Sequence, residues 1–172
     1  MLGEGRPFIL EIKAPKMREV DLKVLEESVD RAKVGLLDLR HIDGSKVVVI
    51  KSASPRKRYS AKVKVENLDK NKLESALKEL SGTVIEQKTP ERVLHRRADK
   101  TRNRTVIEAR LLGIDDGYAT IEILSDAGLY IKELVSGDHG RSRPSLSSIT
   151  GEDLSVEELD VINVGAIEGI EI

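Results

Sequence analysis

At 172 residues the chain has the length of one ordinary domain, 39% of it hydrophobic, which is enough to bury a core. Charged residues make up 34% and the net charge is −1, while the longest aliphatic run, Val47-Val48-Val49-Ile50, is far too short to cross a bilayer. Cysteine is absent, which excludes disulfides and thiolate metal sites, and no signal peptide is visible, so the expectation is a soluble cytoplasmic protein.

Residues 7–14, PFILEIKA, read as a strand opened by proline. DLKVLEESVDRA follows as a helix capped by Asp21, with Leu22, Leu25, Val29 and Ala32 on one face. GLLDLRHI and KVVVI read as short strands separated by the Asp43-Gly44 turn signal. Tyr59, Ala61, Val63 and Val65 then alternate with Ser60, Lys62, Lys64 and Glu66, a half-buried strand with one basic face. DKNKLESALKEL is a second amphipathic helix, with Leu73, Ala76, Leu77 and Leu80 inward and Gly82 ending it. TVIEQ, a basic loop, and the pair TVIEARLLGI and YATIEIL come next, the pair joined by Asp115-Asp116-Gly117 as a hairpin. YIKELVS and SLSSIT read as short helices and ELDVINVGAI as a closing strand. About eight strands and three or four helices predict a single α+β domain over residues 1–172, built on a mixed or mostly antiparallel sheet.

The charge is unevenly spread. Residues 51–64 carry six basic groups and no acid, residues 88–110 carry eight against three acids, and after Gly151 there are seven acids and no base. Basic clusters of this density suit phosphate binding through counterion release, or else form a solvated face. One Gln, four Asn and abundant Lys, Arg and Glu suit a heat-adapted protein.

His41, His95 and His139 show no metal-ligand spacing, and no phosphate-cradling glycine loop occurs. Ser136, Asp138 and His139 sit too close in sequence to form a nucleophilic triad and read as a loop with satisfied polar groups. Only four aromatic residues are present, and two of them, in Arg58-Tyr59 and Tyr130-Ile131-Lys132, adjoin cations. Each tyrosine alone is consistent with a core or edge position; beside basic stretches, a tyrosine can stack on a base while its neighbours hold phosphates.

The motifs GLYIKELVSGDHGR (128–141), RYSA (58–61), LGEGRPF (2–8), ELDV (158–161) and above all QKTPERVLHRRADKTRNR (87–104) resemble the pseudouridine synthases. The last segment is similar to that of the archaeal and eukaryotic synthases acting on uridines 54 and 55 of the tRNA T-loop. The resemblance runs nearly the whole chain. It implies a pseudouridine synthase fold, the tRNA T-arm as partner and no metal or organic cofactor. It also implies a reaction in which a uridine is everted, its glycosidic bond is broken with help from an aspartate, and the base rejoins through carbon. Tyr59 is then the residue that stacks on the base and assists a proton transfer, and Lys132 the cation that keeps the catalytic carboxylate ionised. Ile131 and Leu159 pack around the pocket, and Arg92, Arg96, Arg97, Arg102 and Arg104 grip phosphates. The family's aspartate stands in a Gly-Arg-Glu-Asp stretch that this sequence does not contain, and Asp21, Asp38 and Asp43 lie in the wrong context to replace it. Two expectations follow: the chain is the C-terminal part of a longer isomerase, inactive alone, or it is a silent module that binds tRNA without isomerising it.

Overall fold

The computed structural model describes residues 5–65 and 68–167, so Glu66 and the first three residues of the LGEGRPF motif lie outside the described part. The chain divides into two compact units. One holds residues 7–53 with 166 and 167; the other holds residues 54–165 with Gly5 and Arg6. Among the described residues no helix is long and apolar enough to cross a membrane.

The first unit carries two seven-residue helices, α1 (Leu22–Ser28) and α2 (Lys46–Ser52). Asp21 caps α1 as expected, its carboxylate accepting the N–H groups of Lys23 at 3.0 Å and Val24 at 3.2 Å. Leu22, Leu25 and Val29 are half-buried along one side, but the helix stops at Ser28, so Ala32 falls in a later turn and is exposed. Three expected strands are not found. Residues 7–14 and 35–42 are extended or irregular, and Phe8, Leu10, Ile12 and Leu37 are exposed. A strand exists only where its N–H and C=O groups find a neighbouring strand, and none pairs with these segments among the described residues. KVVVI is helical instead. A short apolar run fits either period, and the turn ahead of it, with Asp43 accepting the Ser45 N–H at 2.8 Å, starts a helix.

The second unit is built on one antiparallel sheet. Its strands are β1 (Lys57–Lys64), β2 (Val84–Lys88), β3 (Thr101–Asp115), β4 (Tyr118–Ser125), β5 (Ser142–Arg143) and β6 (Val156–Val164), in the order β5-β2-β3-β4-β1-β6. The α+β, antiparallel expectation holds. Alternation in β1 turns Tyr59, Ala61 and Val63 to the buried face. The β3–β4 hairpin closes where predicted: Asp115 pairs with Tyr118, and Asp116 and Gly117 both take positive φ (46° and 75°), as a two-residue turn demands.

Helix α3 (Lys70–Leu80) covers the sheet with Leu73, Ala76, Leu77 and Leu80, the face read from the sequence. Asp69 caps it through the N–H groups of Asn71 and Lys72. Burying each of its leucines contributes about 1.5–3 kcal/mol. Helices α4 (Ile131–Ser136) and α5 (Leu146–Thr150) complete the layer, with Leu134, Val135 and Leu146 fully buried. Packing of α4 against β6 and α5 brings the α4 N-terminus over the Tyr59 end of the sheet.

Candidate active-site cleft

Sheet register sets one wall. Tyr59 lies opposite Val161 of β6 and Ala61 lies opposite Leu159, so Tyr59 and Leu159 stand on the same face of adjacent strands. The other wall comes from the turn after β4. Gly128, at φ +85°, reverses the chain, and Leu129, Tyr130, Ile131 and Lys132 run from that turn into α4. A single-turn helix, Glu91–Val93, adds Arg92. These seven residues line one cleft of about 240 Å³. Five of them, Tyr59, Arg92, Ile131, Lys132 and Leu159, are site residues expected from the sequence, drawn from four separated segments. Leu129 is an addition, and Tyr130, singled out in the sequence only for its neighbouring cation, joins them.

Tyr59 is 8% exposed. Burial pushes its phenol above the ordinary range, with the Arg6 guanidinium pulling more weakly the other way, so at neutral pH it is a neutral hydroxyl. Arg6 carried no expectation; it lies far from Tyr59 in sequence. Lys132 is exposed and its ammonium has no hydrogen-bond or ion-pair partner among the described residues. Among the described residues, none of those lining the cleft carries a carboxylate.

The cations beside the tyrosines differ from the sequence pairing. Arg58 points to the opposite face from Tyr59, where the buried Glu122 carboxylate takes it at 2.5 Å and also holds Arg110 at 2.7 Å. The cation over Tyr130 is Arg92, whose Cζ lies 5.9 Å from the ring centre. Arg92 in turn is held by Glu133 of α4, Nε donating at 2.6 Å and the second nitrogen at 3.4 Å. That hydrogen bond raises the Arg92 pKa and keeps its charge fixed. Glu133 is buried and turns its carboxylate toward Arg92, while the preceding residue, Lys132, lines the cleft and is exposed.

The remaining arginines separate by task. Arg104 donates through Nε to the Ala127 carbonyl at 2.7 Å and through Nη1 to the Asn103 carbonyl. Arg102 donates to the Thr89 hydroxyl at 3.1 Å and to the Lys100 carbonyl. Arg96 and Arg97, just beyond the Glu91–Val93 turn, are exposed, and no described residue engages their guanidinium groups. Arg141 holds the Thr89 carbonyl with two nitrogens and the Asp99 carboxylate with one. Asp138 accepts the Glu91 N–H at 3.1 Å. Asp138 and Arg141 of the 137–141 loop therefore brace the basic segment, a role the sequence reading of this loop did not include.

The main-chain groups of Tyr130 are held by Gln87, a residue the sequence reading passed over. Period-2 alternation in TVIEQ, which sets Gln87 on the side of Ile85, is the signal that marks it as a buried amide.

Comparison with known proteins fits this architecture. The family model described as "Pus10, C-terminal" matches residues 1–165. The chain is 49% identical over 166 residues to tRNA pseudouridine synthase Pus10 of Archaeoglobus fulgidus, covering 95% of this chain and 46% of that protein. It is 49% identical over 169 residues to the protein of the same name from Methanopyrus kandleri, covering 94% and 38% respectively. The chain thus spans less than half the length of these curated relatives. Among solved structures, a Cbf5-Nop10-Gar1 complex superposes with a TM-score of 0.56 at 22% identity, over 72% of this chain and 35% of that one, a likeness of fold. By the family model and by identity across almost its whole length, the chain belongs to the Pus10 C-terminal family.

Proposed function

We propose that residues 1–172 act as the catalytic domain of a tRNA pseudouridine synthase, isomerising a T-loop uridine, in the cytoplasm. The reading is supported by the convergence of Tyr59, Ile131, Lys132 and Leu159 on the lining of one cleft, with the Lys132 ammonium engaged by no described residue. A base everted from its stack enters between the Tyr59 ring and the apolar side chains of Ile131 and Leu159. Arg96 and Arg97, with the spare donors of Arg92, Arg102 and Arg104, hold the T-arm phosphates. The phenol of Tyr59, neutral at physiological pH, is able to pass a proton. Breaking the glycosidic bond calls for a carboxylate, and the described residues of the cleft lining supply none. We propose that a segment of the longer polypeptide brings an aspartate to Lys132, whose positive charge keeps that acid ionised.

The test is single-turnover isomerisation of unmodified tRNA by the whole polypeptide that contains these residues. Lys132→Ala is expected to lower the rate about a hundredfold or more while tRNA binding changes little. Unchanged product formation in this variant overturns the assignment of Lys132.

A second reading has its own support in the unengaged Arg96 and Arg97: a module that binds the T-arm without chemistry. It predicts tRNA affinity that falls steeply with salt and no product from the whole polypeptide.

A further inference from the structure

Gln87 is the chain's single glutamine and is 3% exposed. Its carboxamide reaches one residue's main chain from both ends: Oε1 accepts the Tyr130 N–H at 2.8 Å, and Nε2 donates to the Tyr130 carbonyl at 3.1 Å. A backbone N–H can only donate and a backbone carbonyl can only accept, so the orientation of the amide is settled. Ser142, its register partner on β5, accepts a further Nε2 bond at 2.8 Å and holds that orientation.

Tyr130 is the residue before α4, and no side chain of its own caps the helix. Its carbonyl also receives the first helical bond, from Leu134 at 2.9 Å. The peptide planes on either side of Tyr130 are therefore fixed by Gln87, and those planes decide where Ile131 and Lys132 project. A second brace acts on the same turn, because Arg104 holds the Ala127 carbonyl and would touch any side chain added at Gly128, 3.4 Å away.

We propose that Gln87 is a positioning residue for the reaction at this cleft: it does not line the cleft but places the Lys132 ammonium there through the Tyr130 main chain. This rests on the isomerase reading above. The chemistry is selective for an amide. Ionised glutamate at this position has no donor for the Tyr130 carbonyl, and methionine leaves the Tyr130 N–H without its acceptor.

The experiment compares Gln87→Glu, Gln87→Met and Ser142→Ala in the whole polypeptide. Four quantities are measured: single-turnover rate, tRNA affinity, thermal unfolding, and hydrogen exchange at the Tyr130 amide with the NMR shift of the Lys132 ammonium. Both Gln87 variants are expected to exchange faster at Tyr130, to shift the Lys132 signal and to lose about 10- to 100-fold in rate, the scale of a small misplacement at a reacting centre. Their tRNA affinity stays within about twofold, because Arg96 and Arg97 are untouched. Ser142→Ala keeps both Tyr130 bonds and shows the same changes in weaker form, which preserves the test if Gln87→Met does not fold. Normal rates alongside loosened Tyr130 exchange overturn the proposal. So does a parallel loss of rate, affinity and unfolding temperature, which marks an ordinary core residue. An unmutated polypeptide that makes no product sinks the isomerase reading separately. The exchange and Lys132 readouts then still decide whether Gln87 sets the ammonium's place, and an unmoved Lys132 signal overturns that.

Discussion

Arg102 and Arg104 of β3 and Arg96 and Arg97 of the loop before it belong to one basic segment, yet the structure uses them oppositely. The strand arginines spend donors on Thr89, Lys100, Asn103 and Ala127. The loop arginines stand exposed, engaged by no described residue. Arg92 sits between the two classes, a cleft-lining residue whose guanidinium is tied to a buried acid. A run of like charges is thus not one electrostatic feature. Where a guanidinium meets backbone carbonyls it acts as a brace, and where it meets only solvent its donors stay uncommitted.

The comparison breaks most visibly at Arg92. Arg92→Ala leaves the Glu133 carboxylate buried without its partner, which costs about 1–3 kcal/mol; the exposure of Arg92 holds the figure at the lower end. Glu133→Gln in the same background removes the stranded charge and recovers part of the loss. Urea unfolding of the single and double variants measures both. Equal stability of Arg92→Ala and the unmutated protein would move Arg92 into the class of free cations.

A smaller effect sharpens the contrast. Arg104→Met removes the bond to Ala127 and lowers stability by about 1 kcal/mol. Arg96→Ala and Arg97→Ala are expected to change stability by no more than about 0.5 kcal/mol and, on the proposed tRNA-binding role, each to reduce the salt dependence of tRNA binding by about one unit of slope. Titrations over a range of salt, set beside the unfolding curves, separate the classes. A strand arginine that moved the salt slope without moving stability would abolish the distinction.

Much of the cleft was legible in the sequence because its residues fall in the motifs that carry the family resemblance, and local signals placed some of them on elements. Alternation put Tyr59 on an inward face and the glycine turn before Tyr130-Ile131-Lys132 marked the start of a helix, whereas Ile131, Lys132 and Leu159 were named through the motifs of the family resemblance. What stayed hidden needed distance information. Arg92 and Glu133 are 41 residues apart in sequence, and nothing in either neighbourhood names the other. Arg58 adjoins Tyr59 in sequence, but a strand's period of two sends neighbours to opposite faces, so adjacency misled there. The misread strands of residues 7–53 have a similar origin. Val47 to Ile50 suits a strand or a helix by composition, and only partners decide between them.

The smallest expected effect concerns an arginine that acts on the cleft through its field alone. Arg6 pulls the Tyr59 pKa down while burial pushes it up, and burial wins. The unfolded chain therefore releases this phenolic proton near the ordinary value of 10.0, whereas the folded chain holds it to higher pH. Between those two points the folded state binds more protons, so stability falls as pH rises through the window; below it the contribution is fully present. Tyr59→Phe removes the proton and with it this part of the alkaline decline, leaving the slopes due to other groups. Unfolding free energies from pH 8 to 11 should then show the two proteins differing in slope only above about pH 10. Arg6→Ala acts in the opposite sense, because loss of the cation raises the folded pKa further and steepens the decline. If Tyr59→Phe and the unmutated protein run parallel across that range, the phenol is as well solvated as a free one, and the hydroxyl is no longer part of an enclosed cleft.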